Sequence, residues 1–215
     1  YRNFATKLWN ASRFALMNGA ELQPEYDPSA NSLTINRWIV SKLTSSASSL
    51  DQALSSYRFN DAASILYHFA WGEFCDWYIE LSKPILNGDD PAAKAETQAT
   101  TAWVLTQIVK LMHPLMPYIT EELWETLSGG GEGLLISSAW PELPETLADA
   151  EAEAEIDWLI KLITEVRGTR NQMNVPAAAQ VPLLIKGASD ITRARLTANE
   201  ALIGRLARVS KLTHS

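Results

Sequence analysis

The chain has 215 residues, 47% of them hydrophobic and 20% charged, which is enough apolar content for a packed core and argues against wholesale disorder. The single Cys75 excludes an internal disulfide or a cysteine-based zinc site, the three dispersed histidines (His68, His113, His214) offer no metal-ligand spacing, and no apolar run is long enough to span a bilayer. A formal charge of −7, taken whole, argues against a nucleic-acid partner.

The first helix is predicted over residues 1–17 and stops at the left-handed signal Asn18-Gly19. A polar loop with Pro24 and Pro28 follows. Ser32 is the expected N-cap of a long helix whose apolar positions Ile35, Trp38, Ile39, Leu43, Ala47, Leu50 and Leu54 keep helical spacing. Asn60 is the expected cap of a third helix running to about Lys83, apolar nearly all round and therefore central in its bundle. Residues 85–90 read as a loop, and Pro91 suits the first turn of a fourth helix carrying Ala102, Leu105, Ile108, Val109 and Met112. Pro114 and Pro117 end it, Pro117 opens a short fifth helix through Leu127, and Ser128 to Gly131 read as a flexible connection.

Residues 134–144 read as a proline-punctuated strap, and residues 149–172 as a helix with Ile156, Leu159, Ile160 and Ile163 on one side. Residues 181–185 are a strand candidate, and residues 191–209 a basic amphipathic helix. The expected fold is mainly α: a helical bundle over residues 1–148, then a connecting helix and a small α/β appendage over residues 149–215. The chain opens on Tyr1 rather than methionine, inside predicted helix, so a piece of a longer protein is expected. Its first residues lack the pattern of a signal peptide, and its cysteine usage fits a cytoplasmic setting.

The net charge conceals an asymmetry. Residues 1–160 hold 9 basic and 22 acidic side chains, a net of −13, whereas residues 161–215 hold 9 basic and 3 acidic, a net of +6. The first 20 residues carry Arg2, Lys7 and Arg13 and no acid. A phosphate backbone responds to the local field, so two cationic ends on an acidic body reopen the case for nucleic acid.

Projection of the first helix separates Tyr1, Phe4, Ala5, Leu8, Ala11, Ser12, Ala15 and Leu16 from a second half with Arg2, Asn3, Thr6, Lys7, Trp9, Asn10, Arg13, Phe14 and Met17. Cations, amides and large aromatics interleaved on one face suit unpaired bases: the cations meet phosphates, the amides read base edges and the rings stack. On the projection alone, the same face is better explained if Trp9 and Phe14 pack on a neighbouring helix or domain and the charges are solvated. Trp77, near the end of its helix with Asp76, Glu80 and Lys83, either joins the core or borders a groove.

Other chemistry-bearing residues have structural readings. Glu121 and Glu122 fall in a first helical turn, where carboxylates favour the dipole. His113 closes a helix, and Cys75 lies on the most apolar helix as a small hydrophobe. The glycines from Gly129 to Gly133 lack the Lys-Ser/Thr sequel of a phosphate-binding loop.

Several strings carry a resemblance. Lys7-Leu8-Trp9-Asn10-Ala11-Ser12-Arg13-Phe14, the run from Trp71 to Glu80 (WGEFCDWYIE), the run from Leu111 to Trp124 (LMHPLMPYITEELW), Ile136 to Pro141, and Arg170 to Pro176 (RNQMNVP) resemble the C-terminal region of the valyl-tRNA synthetase family, among the class I aminoacyl-tRNA synthetases. The third string is similar in the isoleucyl and leucyl enzymes. Gly72 stands where Asn is expected and Ala177 where a second Pro is common.

The resemblance implies an anticodon-binding helical bundle of a class I synthetase, with tRNA(Val) and the catalytic domain of the same polypeptide as partners, and a monomer without a membrane. It also implies a parent ligase that uses ATP and Mg2+, while this stretch binds no cofactor and has no catalytic residue. The implied anticodon contacts are Arg2, Lys7, Asn10, Arg13, Phe14, Trp77 and Lys83. Arg193, Arg195, Arg205, Arg208 and Lys211 on the basic helix would meet phosphates without reading sequence. A helical protein-interaction domain docking an acidic partner, and the equivalent module of an isoleucyl- or leucyl-tRNA synthetase, are the alternatives.

Overall fold

A computed structural model describes residues 2–128 and 133–215, with Arg2 described by its backbone alone. The expected connection at residues 128–131 therefore falls, beyond Ser128, outside the described residues. Residues 1–152 and 153–215 form two compact units.

In the first unit, α1 (Arg2–Met17) ends where the sequence predicts. Gly19 has a φ of 77°, Ala20 donates its N–H to Ala15 at 3.0 Å, and a Cβ on Gly19 would come within 2.8 Å of Gln98. Glycine is favoured there for its left-handed conformation, and the neighbour a Cβ would meet is only the movable end of the Gln98 side chain. Helix α2 (Thr34–Ser55) buries Ile35, Trp38, Ile39, Leu43, Ala47 and Leu50 of the stripe read from the sequence, while Leu54 near its end is half-buried.

Its start differs from expectation. Leu33 holds the N-cap position without a side-chain cap, and Ser32 is not the cap. A carboxylate from α5 (Pro91–Met112) does that work: Glu96 accepts from the Ser32 N–H (3.0 Å), the Leu33 N–H (2.9 Å) and the Asn36 side chain (2.9 Å). An anion there satisfies orphan donors and meets the positive end of the helix dipole.

The third predicted helix is continuous but not uniform. It begins as α3 (Phe59–Tyr67) with Arg58 rather than Asn60 at the N-cap; Asn60 instead donates to Asp61. It passes through a π-helical segment (His68–Tyr78) and resumes as α4 (Ile79–Leu86), with Pro84 inside that last stretch. At the junction the Ile79 N–H bonds the carbonyl of Phe74, five residues back. Phe69, Ala70, Phe74 and Tyr78 are buried, as a central helix requires.

Helix α5 starts from Asp90, whose carboxylate accepts from Ala92 and Ala93, with Pro91 in its first turn. It is the most deeply buried helix of the unit, with Val104, Leu105, Ile108 and Val109 at 0–1% exposure. Helix α6 (Pro117–Ser128) follows as predicted. Glu121 does not serve its own helix terminus: it accepts from the backbone of Leu135 at 2.6 Å and so ties down the strap. Trp140 in that strap donates to Asp51 of α2.

Helix α7 (Ala150–Gln172) is capped by Asp149, which accepts from Ala152. The second unit then departs from the reading. In place of one basic helix over residues 191–209 stand α8 (Asp190–Ala198) and α9 (Glu200–Ala207), broken at Asn199. After Arg208, left-handed at φ 55°, comes a strand, β2 (Val209–His214). It pairs in parallel with β1 (Val181–Ile185), Val181 opposite Val209 and Ile185 opposite His214. Two parallel strands need a crossover, and the paired helices supply it. Arg170, 9% exposed, anchors this unit by donating to the carbonyls of Pro176, Ala179 and Arg208.

Burial works to raise the Glu96 carboxyl, but hydrogen bonds from Ser32, Asn36 and Leu33 outweigh it and hold the group below the usual range. A depressed carboxyl contributes stability above its unfolded value and loses it as pH falls through the folded one. Melting temperature should therefore decline on acidification below about 4.5. Glu96→Gln should flatten that decline while costing about 1–3 kcal/mol at neutral pH, read by thermal melts at pH 3–7.

Candidate nucleic-acid interface

Helix α1 lies against the π-helical segment and runs alongside it in the same direction. Phe4 packs on Tyr67 and Trp71, with centroids 5.3 and 6.1 Å away. Three residues on, the Lys7 ammonium sits 3.8 Å from the Trp71 ring centroid and pairs with Asp76. Further along, Phe14 meets Lys83, 5.5 Å from its ring, and Lys83 pairs with Glu80. The two helices thus meet along a seam, hereafter the groove, that carries aromatic rings and charges along its length.

The π segment explains why Lys7 meets both Trp71 and Asp76. In an α-helix, residues five apart point about 140° away from one another. Bonding to the fifth residue back widens the turn and brings such residues to the same side. Trp71 and Asp76 are five apart, and one ammonium touches both.

Lys7, Asn10, Arg13, Phe14 and Lys83, five of the residues singled out from the sequence, belong to this groove or its rim. Asn10 and Arg13 are exposed on α1, and Arg13 has no hydrogen bond or ion pair among the described residues. Phe14 is half-buried, with the Lys83 ammonium beside its ring. Trp77 is half-buried within the π segment. The Arg2 side chain lies outside the described residues. Trp71 and Asp76 were missed as groove residues, because helical spacing places them on different faces.

Lys7 is compensated by Asp76 of the facing segment and Lys83 by Glu80 of its own helix, leaving Arg13 as the unneutralised cation here among the described residues. Such a surface attracts phosphate weakly and favours rings and base edges.

The second unit does not present its cations in one row. Arg195 is drawn into the fold, its Nε 2.8 Å from Glu155 and its guanidinium 5.7 Å from the Trp158 ring. Arg193 lies 3.9 Å from Asp190. Arg205, on α9, Arg208, between α9 and β2, and Lys211, on β2, are exposed. Lys211 was expected on a helix and stands on a strand, because the left-handed turn at Arg208 ends α9 first.

Elsewhere in the first unit, His113 Nδ1 lies 2.8 Å from the Thr120 hydroxyl, joining the end of α5 to α6. Among the described residues no three His, Cys, Asp or Glu side chains gather as a metal site, and no helix is long and apolar enough to cross a membrane.

The chain belongs to the family described as the anticodon-binding domain of tRNA ligase, whose profile matches residues 36–185. Its relatives are more particular. It is 52% identical over 218 aligned residues to the valine–tRNA ligase of Rhizobium meliloti, an alignment covering all of this chain and 23% of that protein. It is 53% identical to the valine–tRNA ligase of Caulobacter vibrioides, over 97% of this chain and 23% of that one. The corresponding enzyme of Agrobacterium fabrum is 51% identical, over 99% of this chain and 22% of its own. The chain therefore spans about a quarter of the length of these relatives. Helix α1 precedes the profile match but lies within the alignment to Rhizobium meliloti.

Burial pushes the Cys75 thiol, on the same π segment, up to about 12, against the opposing pull of the Lys7 ammonium. At pH 8 only about one thiol in ten thousand is then ionised. A thiol-specific reagent should label the folded chain orders of magnitude more slowly than the denatured chain, read by absorbance with and without guanidinium.

Proposed function

We propose that this chain is the anticodon-binding part of a valine–tRNA ligase and that the groove between α1 and the π segment receives the anticodon loop of tRNA(Val). The observation that carries this reading is the arrangement of Lys7, Asn10, Arg13 and Phe14 along one wall, facing Trp71, Asp76 and Lys83 on the other. Loop bases can be splayed out of their stack, laid on aromatic faces and read at their edges. For valine the genetic code fixes an A in the middle and a C at the third place of the anticodon, so discrimination needs hydrogen bonds there as well as stacking.

Arg13 supplies a free fork of donors, Asn10 a donor and an acceptor, and Phe14 a ring face. Arg193, Arg205, Arg208 and Lys211 are offered as phosphate contacts. Arg195 stays with them only if its pairing to Glu155 is exchanged for a phosphate. Valine activation with ATP and Mg2+ is assigned to the part of the ligase beyond these residues, in a cytoplasmic setting. The module's share is to spend binding energy at a distance so that the acceptor end is correctly placed for reaction.

Arg13→Ala and Phe14→Ala should each weaken binding of a valine anticodon stem-loop by about 1–3 kcal/mol, with helicity unchanged. Fluorescence anisotropy beside circular dichroism checks both. Wild-type affinity in both variants would return Phe14 and Trp9 to a packing role alone.

A further inference from the structure

Beyond the groove, α3 carries a second set of rings. Phe59, Ala63 and Tyr67 lie on one i, i+4 ridge and all three are exposed, Phe59 at 57% and Tyr67 at 44%. Tyr57, 81% exposed in the turn before α3, meets Phe59 edge-on with centroids 6.3 Å apart. Tyr67 joins this ridge to the groove: its ring stacks on Trp71 at 5.5 Å and 22°, and His68 packs edge-on against it at 5.8 Å. From Phe59 to Tyr67 the helix rises about 12 Å, the span of roughly two nucleotides.

The backbone at Tyr57 is the second observation. Its φ is 56°, and it closes α2 in a double-bonded turn: Arg58 N–H to Ala53 carbonyl at 2.8 Å, Tyr57 N–H to Leu54 carbonyl at 3.0 Å. Glycine adopts this conformation freely and any residue with a Cβ pays in strain. A tyrosine stands there with its ring in solvent, so neither helix termination nor core packing accounts for the choice.

We propose that Tyr57, Phe59 and Tyr67 form a stacking platform for unpaired bases of the RNA strand as it leaves the groove. This rests on the anticodon reading above. The chemistry favours nucleic acid over an apolar protein partner. The exposed members of the ridge are rings and alanine rather than aliphatic side chains, and exposed Arg58, Asn60, Ser64 and His68 surround them, Arg58 being 3.3 Å from Asp61. Every base has a face that stacks, so the platform adds affinity without choosing between sequences.

The test compares Tyr57→Gly and Phe59→Leu with the wild-type 215-residue chain. Binding is measured to a valine anticodon stem-loop and to one with a changed middle base, over a salt series, beside thermal melts. Tyr57→Gly should melt no lower than wild type, because glycine relieves the left-handed strain, yet bind both loops about fivefold or more weakly in an unchanged ratio. Phe59→Leu should weaken both loops likewise with helicity intact. The slope of log affinity against log salt should not move, since no phosphate contact is lost. Wild-type affinity in both variants would overturn the platform and leave the surface to a protein partner. So would a loss confined to the matched loop. A wild-type chain that binds neither loop overturns the anticodon reading itself, and the platform with it.

Discussion

One polar cluster, buried at Asn36, Tyr78, Thr97, Thr100 and Thr101 and reaching the surface at Glu96, holds the bundle together. Glu96 on α5 accepts from Ser32, Leu33 and Asn36 at the start of α2. Asn36, wholly buried, then donates to Thr97 and accepts from the hydroxyl of Tyr78, which lies 3.2 Å from Thr101. Tyr26 and Asn31, in the loop before α2, bond each other and Thr100. Each partner would be costly to bury alone, so the cluster forms with all its members seated or is heavily penalised. Apolar contacts between α2, α4 and α5 could slide by a turn at modest cost. Directional bonds from α5 and the π segment to one asparagine of α2 cannot.

That constraint reaches the groove through Tyr78, the last residue of the π segment. Its hydroxyl is fixed to α2 and α5, and burial pushes that hydroxyl up in pKa, so it remains a neutral donor. With one end of the segment pinned and Phe69 and Phe74 in the core, the wide turn between them sets where Trp71 and Asp76 emerge. Lys7 on α1 finds both at once. The position of α1, and with it Arg13 and Phe14, thus follows from a hydrogen-bond cluster on the far side of the helix it packs against.

Much of this was legible locally. The ends of α1 and α5 are written in single residues, Gly19 and the Asp90-Pro91 pair, whose backbone preferences decide the matter without help from the rest of the chain. The core stripe of α2 follows from period alone. The non-local features were not legible. Ser32 looks like a cap, yet the anion at that terminus comes from Glu96, 64 residues further on. The π segment leaves no local mark, because its residues fit an ordinary helix equally well and only packing selects the wider turn. β2 is masked by polar residues, Ser210, Lys211 and Thr213, and by an arginine where glycine would have announced the end of α9.

The charge count takes on a different meaning in this setting. The acidic body does not simply repel a polyanion, since Asp76 and Glu80 hold Lys7 and Lys83 in place along the groove wall. Were those ammoniums free, they would bind any phosphate backbone, and affinity would rise for every RNA alike. On the proposed anticodon reading, neutralising them in advance removes that indiscriminate part of the attraction and leaves rings, amides and one arginine to decide. A module that must tell one loop from many gains more from this subtraction than from added charge, because specificity is a difference between affinities rather than their size.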